Sequence, residues 1–436
     1  MKKYMVIISI LLSAGVYAKE YTIDTAIEVA LNNNKEIKKE NKEVEIKELD
    51  YTKSRKLALP KLKYSGSINQ LSDESTLLYG LPVVFKNPAM TLTSGDLNYS
   101  NKLVLEQPIY TGGAIASGIK LLNINKDLEL VKLDQKKREV KLNIFLNYLT
   151  IIKLQKNQEI FESSLKELEE TNKNLNESLE LDLIQKKPVL DINYRISELK
   201  SNIISRKSEI DIKKMTLKSL MGVDKNEDIT IKNIDIPEIK LSDISLDSDT
   251  QYALENKSTI KVLELSKDMS EANKKIKKAD LLPKVNLKAN YEVFGETYGT
   301  PITAKDKRWN VEVTATMNIF DFGMSYDEVN KVKKEIESKN LDEETAKDKI
   351  EIGVKSAYSE LQKLLEIIDV KKEALASAKE NYRIEKDKFD VLLNTSLDLL
   401  GAENNLSKVQ VELINAQVDA YISYLKYNDL IEREDI

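Results

Sequence analysis

The side chains able to do chemistry here are carboxylates and ammonium groups. The 436-residue chain carries 72 acidic and 67 basic residues but neither a cysteine nor a histidine. Disulfides, thiolate nucleophiles and zinc-thiolate sites are thereby excluded. The commonest general base and metal ligand is also missing. Two arrangements of the remaining charges stand out. Thr395-x-x-Asp398 has the form of a helix N-terminal capping box, with a carboxylate where the helix dipole favours one. Elsewhere Lys63, Lys102, Lys288, Glu292 and Glu312 alternate with apolar neighbours at period two, which places them on one wet face of strands. Neither arrangement is the paired-carboxylate pocket of a hydrolase, so no enzyme and no cofactor are expected. The net charge of −5 gives no electrostatic footprint for nucleic acid.

The elements that must position these groups are mostly long helices. Charged residues make up 32% of the chain and aromatic residues 6%, a long-helix composition rather than that of an enzyme core. From Ile119 to Lys187 there is neither Gly nor Pro, and from Met324 to Leu400 only Gly353 interrupts. A helix of about 65–70 residues would run ~100 Å, which implies a coiled coil or a helical tube. Phe161, Leu165, Leu168, Leu175 and Leu179 follow steps of three and four, with Asn172 in the missing slot. Leu399, Leu406, Leu413, Ala420 and Tyr427 form one heptad seam, and Ala402, Val409, Ala416, Ser423 and Leu430 a second. At the other end, residues 1–18 read as a secretory signal: Lys2 and Lys3, a short apolar stretch, then small residues up to Ala18.

Four segments alternate with period two, at about 61–71, 97–109, 284–294 and 308–320. In the last, Trp309, Val311, Val313, Ala315, Met317 and Ile319 oppose Asn310, Glu312, Thr314, Thr316 and Asn318. In the second, Asn101 and Gln107 sit on the apolar side and Val104 on the polar side. Each segment has the length of a tilted membrane strand, with one face for lipid and one for a wet lumen. Trp309, Tyr64, Tyr99 and Tyr291 suit interfacial aromatic girdles. Four strands cannot close a barrel, and open edges are not viable in lipid, so several chains must pool strands. Residues 72–96 are expected as a long extracellular loop with an apolar run, Leu77 to Phe85, and 297–307 as a shorter one.

The pattern is doubled. Residues 19–221 and 250–436 each read as a helix, two strands, a long helix and a second helix, joined by a linker at 222–249. Val189-Leu190-Asp191-Ile192 resembles Ser396-Leu397-Asp398-Leu399, which makes Asp191 the first-half counterpart of Asp398. Pro188 reads as a first-turn helix proline.

The opening stretch Thr22 to Asn34, Leu59-Pro60-Lys61-Leu62 with Leu282-Pro283-Lys284-Val285, and Gln107 to Gly113 with Asn318 to Gly323 together resemble the TolC-like outer-membrane efflux protein family. The resemblance covers essentially the whole mature chain. It implies an α+β membrane protein: a homotrimeric twelve-stranded outer-membrane barrel, continued by a long periplasmic coiled-coil tube. It implies a passive duct for small molecules or polypeptides, in a tripartite pump or a type I secretion system. The implied partners are outer-membrane lipid, a periplasmic adaptor and an inner-membrane pump or ABC transporter. The stretch from Phe389 to Asp398 is similar to the family's periplasmic tip, which makes Asp398, Asn394, Phe389 and Asp191 gate candidates. In this chain Leu392 stands at the usual tip glycine and Gly401 at a second aspartate. The competing reading is a secreted trimeric coiled-coil stalk or adhesin without a pore, which has no use for amphipathic strands.

Overall fold

The computed structural model describes residues 19–70, 97–295 and 307–433. The expected signal sequence and the loop 72–96 lie outside these residues, as does the loop 297–307 save for Lys307.

Strand β1 (Lys19–Tyr21) leads into α1 (Ile23–Asn33) and α2 (Lys35–Arg55). Thr22 caps α1 through a reciprocal pair of bonds with Thr25. Asn34 breaks the helix and restarts it: its Oδ1 accepts from the amides of Glu36 and Ile37, at 2.8 and 3.1 Å. A 3-10 turn at Lys56–Ala58 then enters strand β2 (Lys61–Gln70). Strand β3 (Leu97–Tyr110) feeds α3 (Ala114–Glu180), and α4 (Lys186–Met221) follows. Strand β4 (Ile229–Ile231) precedes α5 (Leu246–Asn256) and α6 (Ser258–Lys278), and a second 3-10 turn at Ala279–Leu281 enters β5 (Lys284–Gly295). Strand β6 (Lys307–Thr316), α7 (Met324–Asp390) and α8 (Ser396–Ile431) complete the chain. Among the described residues, no helix is long and apolar enough to cross a membrane.

Element lengths recur. α1 and α5 each have 11 residues, α2 and α6 have 21, α3 and α7 have 67, and α4 and α8 have 36. The segment expected as a linker carries β4, which pairs in parallel with β1. Tyr148 locks this pair: its hydroxyl donates to the carbonyls of Tyr21 and Lys232 at 3.0 and 2.6 Å.

The chain forms two compact units. One comprises residues 44–129 and 263–342 and holds the strands β2, β3, β5 and β6. These make one antiparallel sheet in the order β2-β3-β5-β6. β6 ends at Thr316, short of the expected strand, and Met317 to Phe320 are not strand. The equivalent end of β3, through Tyr110, is held by β5. The residues that break the alternation have local partners. Asn101 accepts from the Tyr64 hydroxyl at 2.7 Å, and the Gln107 amide donates to the Ala58 carbonyl at 2.7 Å.

The other unit comprises residues up to 43, 130–262 and 343 onward. One of its seams buries Leu168, Leu175, Val189, Ile192, Leu199, Tyr382, Leu399 and Ala402, with Phe161, Leu165 and Leu179 packed against them. Phe161, Leu165, Leu168, Leu175, Leu179, Leu399 and Ala402 are heptad positions, and burial of this seam is what holds helices this long in place. Asn172, in the missing heptad slot, bonds Asn193 of α4 at 3.0 Å.

Candidate functional site

Two turns lie at the ends of the long helices. After α3, Asp182 takes a left-handed conformation (φ 55°), and the amide of Leu183 donates back to the Ser178 carbonyl at 2.9 Å. After α7, Leu392 does the same (φ 61°), with the Leu393 amide on the Lys388 carbonyl at 2.8 Å. This is the helix-ending geometry that favours glycine, and here aspartate and leucine occupy it.

The second turn is the better braced. Thr395 is the N-cap of α8: its Oγ1 accepts from the Asp398 amide at 3.3 Å, and Asp398 Oδ2 accepts from the Thr395 amide at 3.0 Å and its hydroxyl at 2.6 Å. The Thr395 hydroxyl and amide hold the exposed Asp398 carboxyl below the usual carboxylate range. Asp398 is thus the capping residue that its spacing predicts. Asn394 ties the turn back to α7, its amide donating to the Glu385 carbonyl and carboxylate at 2.8 and 2.7 Å. At the first turn the N-cap, Gln185, makes no side-chain cap bond.

Asp191 and Asp398 are not equivalent. Asp398 is the third residue of α8, whereas Asp191 is the sixth of α4, where α8 has Gly401. The third residue of α4 is Pro188. The four-residue match in sequence is three positions out of step with the helix starts. Asp191 instead bridges the two helices. Its Oδ2 accepts from Ser396 Oγ at 2.7 Å and from Lys187 Nζ at 3.0 Å, and the Ser396 bond is the larger cause of its lowered pKa.

Phe389 lies at the end of α7. It is 6% exposed and packs in the seam with Leu168, Leu175 and Leu399.

Sequence reasoning missed the most deeply buried charges nearby. Arg195 donates from Nε to Glu403 at 2.8 Å, with side chains only 9% and 3% exposed, and from Nη1 to Glu198 at 2.8 Å. Ser407 donates to Glu403 at 2.7 Å and in turn meets Ser164 at 2.8 Å. Burial disfavours the guanidinium charge, but the bonds to Glu403 and Glu198 outweigh it and raise the pKa. The available signal was a lone Arg between Ile192 and Leu199 on an apolar face.

In the sheet, all five predicted lumen residues lie on one face. The register sets Lys61, Glu106, Lys288 and Glu312 side by side across the strands, and Ser65, Lys102, Glu292 and Arg308 in another row. Charges of opposite sign therefore neighbour each other, which stabilises cross-strand pairs. Lys63 reaches Glu106 at 2.8 Å, and Ser100 donates to Glu292 at 2.7 Å. The opposite face carries Leu62, Leu105, Ala289 and Val311 in one row and Tyr64, Leu103, Tyr291 and Trp309 in the next. Trp309 and Tyr64 are 77% and 67% exposed. A sheet wet on one face and apolar, aromatic and exposed on the other suits lipid on one side and water on the other.

Comparison with solved structures gives the class. The fold is similar to that of CusC (TM-score 0.79, 15% identity, 94% of this chain and 91% of that one), whose crystal structures concern folding and transmembrane channel formation. It is also similar to the outer membrane protein VceC of Vibrio cholerae (TM-score 0.77, 14% identity, 94% and 95% of the two chains). These likenesses define the fold. In sequence, residues 250–426 match the family profile of the outer membrane efflux proteins. A stretch of 151 residues is 23% identical to the outer membrane efflux protein BepC of Brucella suis biovar 1 (strain 1330), covering 35% of this chain and only 33% of that relative. Residues 250–426 are thus similar to the outer membrane efflux proteins, and the matched stretch spans about a third of the length of that curated relative.

Proposed function

We propose that the chain is one subunit of a homotrimeric passive duct, in which three copies pool their strands into a twelve-stranded barrel. The observation that carries this reading is the four-stranded sheet with one wet and one exposed apolar face and with β2 and β6 at its open edges. In lipid every backbone group must be satisfied, so such a sheet needs further copies of itself. Eight strands would leave a barrel filled by its own side chains, whereas twelve leave a lumen. A coiled-coil stalk has no use for this sheet.

In this reading residues 19–221 and 250–436 are two structural repeats, and the recurring element lengths support it. Lys63, Lys102, Lys288, Glu292 and Glu312 face the lumen. The turns at 181–185 and 391–395 form the periplasmic tip, where Asp398, Asn394 and Asp191 set the opening. Under three-fold symmetry each acidic residue becomes a ring that favours cations. A duct of this kind has no energy source, so an adaptor and an inner-membrane pump or ABC transporter supply it.

The test is the mass of the protein extracted from outer membranes in detergent, together with compound accumulation in a deletion strain. A three-chain particle that comes apart on heating, and raised accumulation on deletion, are expected. A folded monomer in the soluble periplasmic fraction would overturn the reading.

A further inference from the structure

All four joints between helix and strand lie at one end of the sheet. Antiparallel pairing sets Lys61, the first residue of β2, beside Glu106 near the end of β3. It sets Lys284, the first residue of β5, beside Thr316 at the end of β6, and Val285 beside Tyr110 at the end of β3. α2 and α6 therefore run into this rim, and α3 and α7 leave it. The two incoming turns flank the end of β3. The Ala58 carbonyl accepts from Gln107 at 2.7 Å, and a Cβ on Gly112 would come within 2.9 Å of the Ala279 carbonyl. The starts of β2 and β5 are two strand spacings apart, about 10 Å.

The incoming turns are basic. Residues 51–60 hold Lys53, Arg55 and Lys56 and no acidic residue. Residues 274–280 hold Lys274, Lys275, Lys277 and Lys278 against Asp280 alone. Lys274 pairs with Glu271, and Lys277 with Glu328 at 2.9 Å. Lys53, Arg55, Lys56, Lys275 and Lys278 are exposed and meet no carboxylate among the described residues. The helix dipole favours cations at any helix C-terminus, so by itself it would place them on every helix. The last turns of α1, α3, α5 and α8 hold no basic residue, and those of α4 and α7 hold one each. α2 has two and α6 has three. The excess belongs to the helices that end at the sheet, and it occurs in both halves of the chain.

The same turns expose apolar side chains. Leu57, Leu59 and Leu282 are exposed beside these cations, and Leu62 opens the exposed apolar face of β2 three residues after Leu59. The wall of a wet lumen gains nothing from exposed leucine. A lipid boundary uses both kinds of residue: leucine meets the acyl chains, while Lys and Arg stretch their charged ends to the headgroups.

We infer that this basic rim binds the phosphate headgroups of anionic phospholipid, in the leaflet that meets the helical end of the sheet. The inference rests on the reading of the sheet as membrane-embedded; selection of anionic lipid at this rim is the added content. Arg55 offers a fork of donors that matches a phosphate, and the four lysines supply compact charge. The potential of an anionic leaflet fades within a Debye length, about 8–10 Å. Cations must therefore stand at headgroup level to feel it, which is where the ends of the membrane strands put these five.

The test reconstitutes the full chain into vesicles of phosphatidylcholine with a minor share of phosphatidylglycerol. The protein is re-extracted in mild detergent, and the lipid retained per chain is measured by mass spectrometry. Phosphatidylglycerol should be retained several-fold above its share of the vesicle, and high salt should abolish the excess. The variant Lys53→Gln, Arg55→Gln, Lys56→Gln, Lys275→Gln, Lys278→Gln should retain it only in proportion to that share. A control neutralises five exposed lysines of the other unit, as Lys166→Gln, Lys186→Gln, Lys225→Gln, Lys240→Gln, Lys261→Gln, and should keep the excess. Vesicle flotation is recorded for every sample. If the native chain floats without an excess, or both variants lose it equally, the lipid site is overturned and membrane insertion stands. A native chain that does not float overturns both. If the rim variant itself fails to float, its two halves are tested apart, as Lys53→Gln, Arg55→Gln, Lys56→Gln and as Lys275→Gln, Lys278→Gln. Each should lose part of the excess, and an undiminished excess in both overturns the site.

Discussion

Ser396 donates through Oγ to Oδ2 of Asp191 at 2.7 Å, which ties the first turn of α8 to the second turn of α4. This bond joins the two halves of the chain beside the turn that carries Asp398. Ser396→Ala and Asp191→Ala should each speed amide hydrogen exchange at the start of α8. Because both remove one link, the double variant should add little to either single change. Full additivity would show that the bond does not hold the tip.

The pH dependence has a definite sign. Asp191 and Asp398 both have lowered pKa values, from Ser396 and Lys187 in the first case and from Thr395 in the second. A group with a depressed folded pKa contributes stability above its unfolded value, roughly pH 4, and that contribution fades as pH falls through the folded pKa. Protection of residues 391–400 should therefore be flat above about pH 5 and weaken below roughly pH 4. Asp398→Asn should flatten that profile. An unchanged acid limb in the Asp191→Asn, Asp398→Asn double variant would contradict the assignment.

Capping and pore roles for Asp398 can be separated. Thr395→Ala removes the hydroxyl of the cap and leaves the carboxylate, at a cost of about 1 kcal/mol. Asp398→Asn removes the charge. If the carboxylate rings the opening, Asp398→Asn lowers cation selectivity and divalent block in single-channel recordings, whereas Thr395→Ala leaves selectivity alone. Equal behaviour of the two variants would leave the residue a cap only.

Arg195 and Glu403 form a nearly dry pair, so losing one partner strands the other. Arg195→Met or Glu403→Gln alone should cost about 3–5 kcal/mol, and replacing both by apolar residues of similar volume should recover most of the loss. Thermal unfolding of the helical signal for the two singles and the double checks this. A double variant as unstable as the sum of the singles would argue against coupling.

Leu392 holds a left-handed conformation at φ 61°, which costs a residue with a Cβ about 1–2 kcal/mol. Leu392→Gly should raise the melting temperature, with no gain from the same change at Leu393, which is not left-handed. A fall at Leu392 would mean that its side chain carries more than the strain costs.

Much of this architecture was legible in the residues, and the failures have physical causes. Heptad spacing named Leu168, Leu175, Leu399 and Ala402 because burial on a helix leaves a periodic trace. Period-two alternation named Lys63 and Trp309 because successive residues of a strand point to opposite faces. The end of α3 was not legible. The turn after Glu180 uses Asp182 in place of glycine, so no Gly or Pro marks it before Pro188. Within one chain β6 ends at Thr316 although the alternation continues to Ile319, because strand conformation needs an edge to pair with. Asp191 was matched to Asp398 by neighbouring letters, although helix position depends on the cap. The burial of Phe389 comes from α3 and α4, which are distant in sequence. The Arg195–Glu403 pair joins residues from opposite halves, and only packing brings them together.

The account stands on the claim that copies of this chain enclose a water-filled path across a membrane. The direct measurement is single-channel recording of the purified, detergent-extracted protein in planar bilayers. The account predicts discrete, stable current steps from a three-chain particle, lost on heating as the particle comes apart. A folded, membrane-inserted protein that passes no current would contradict it.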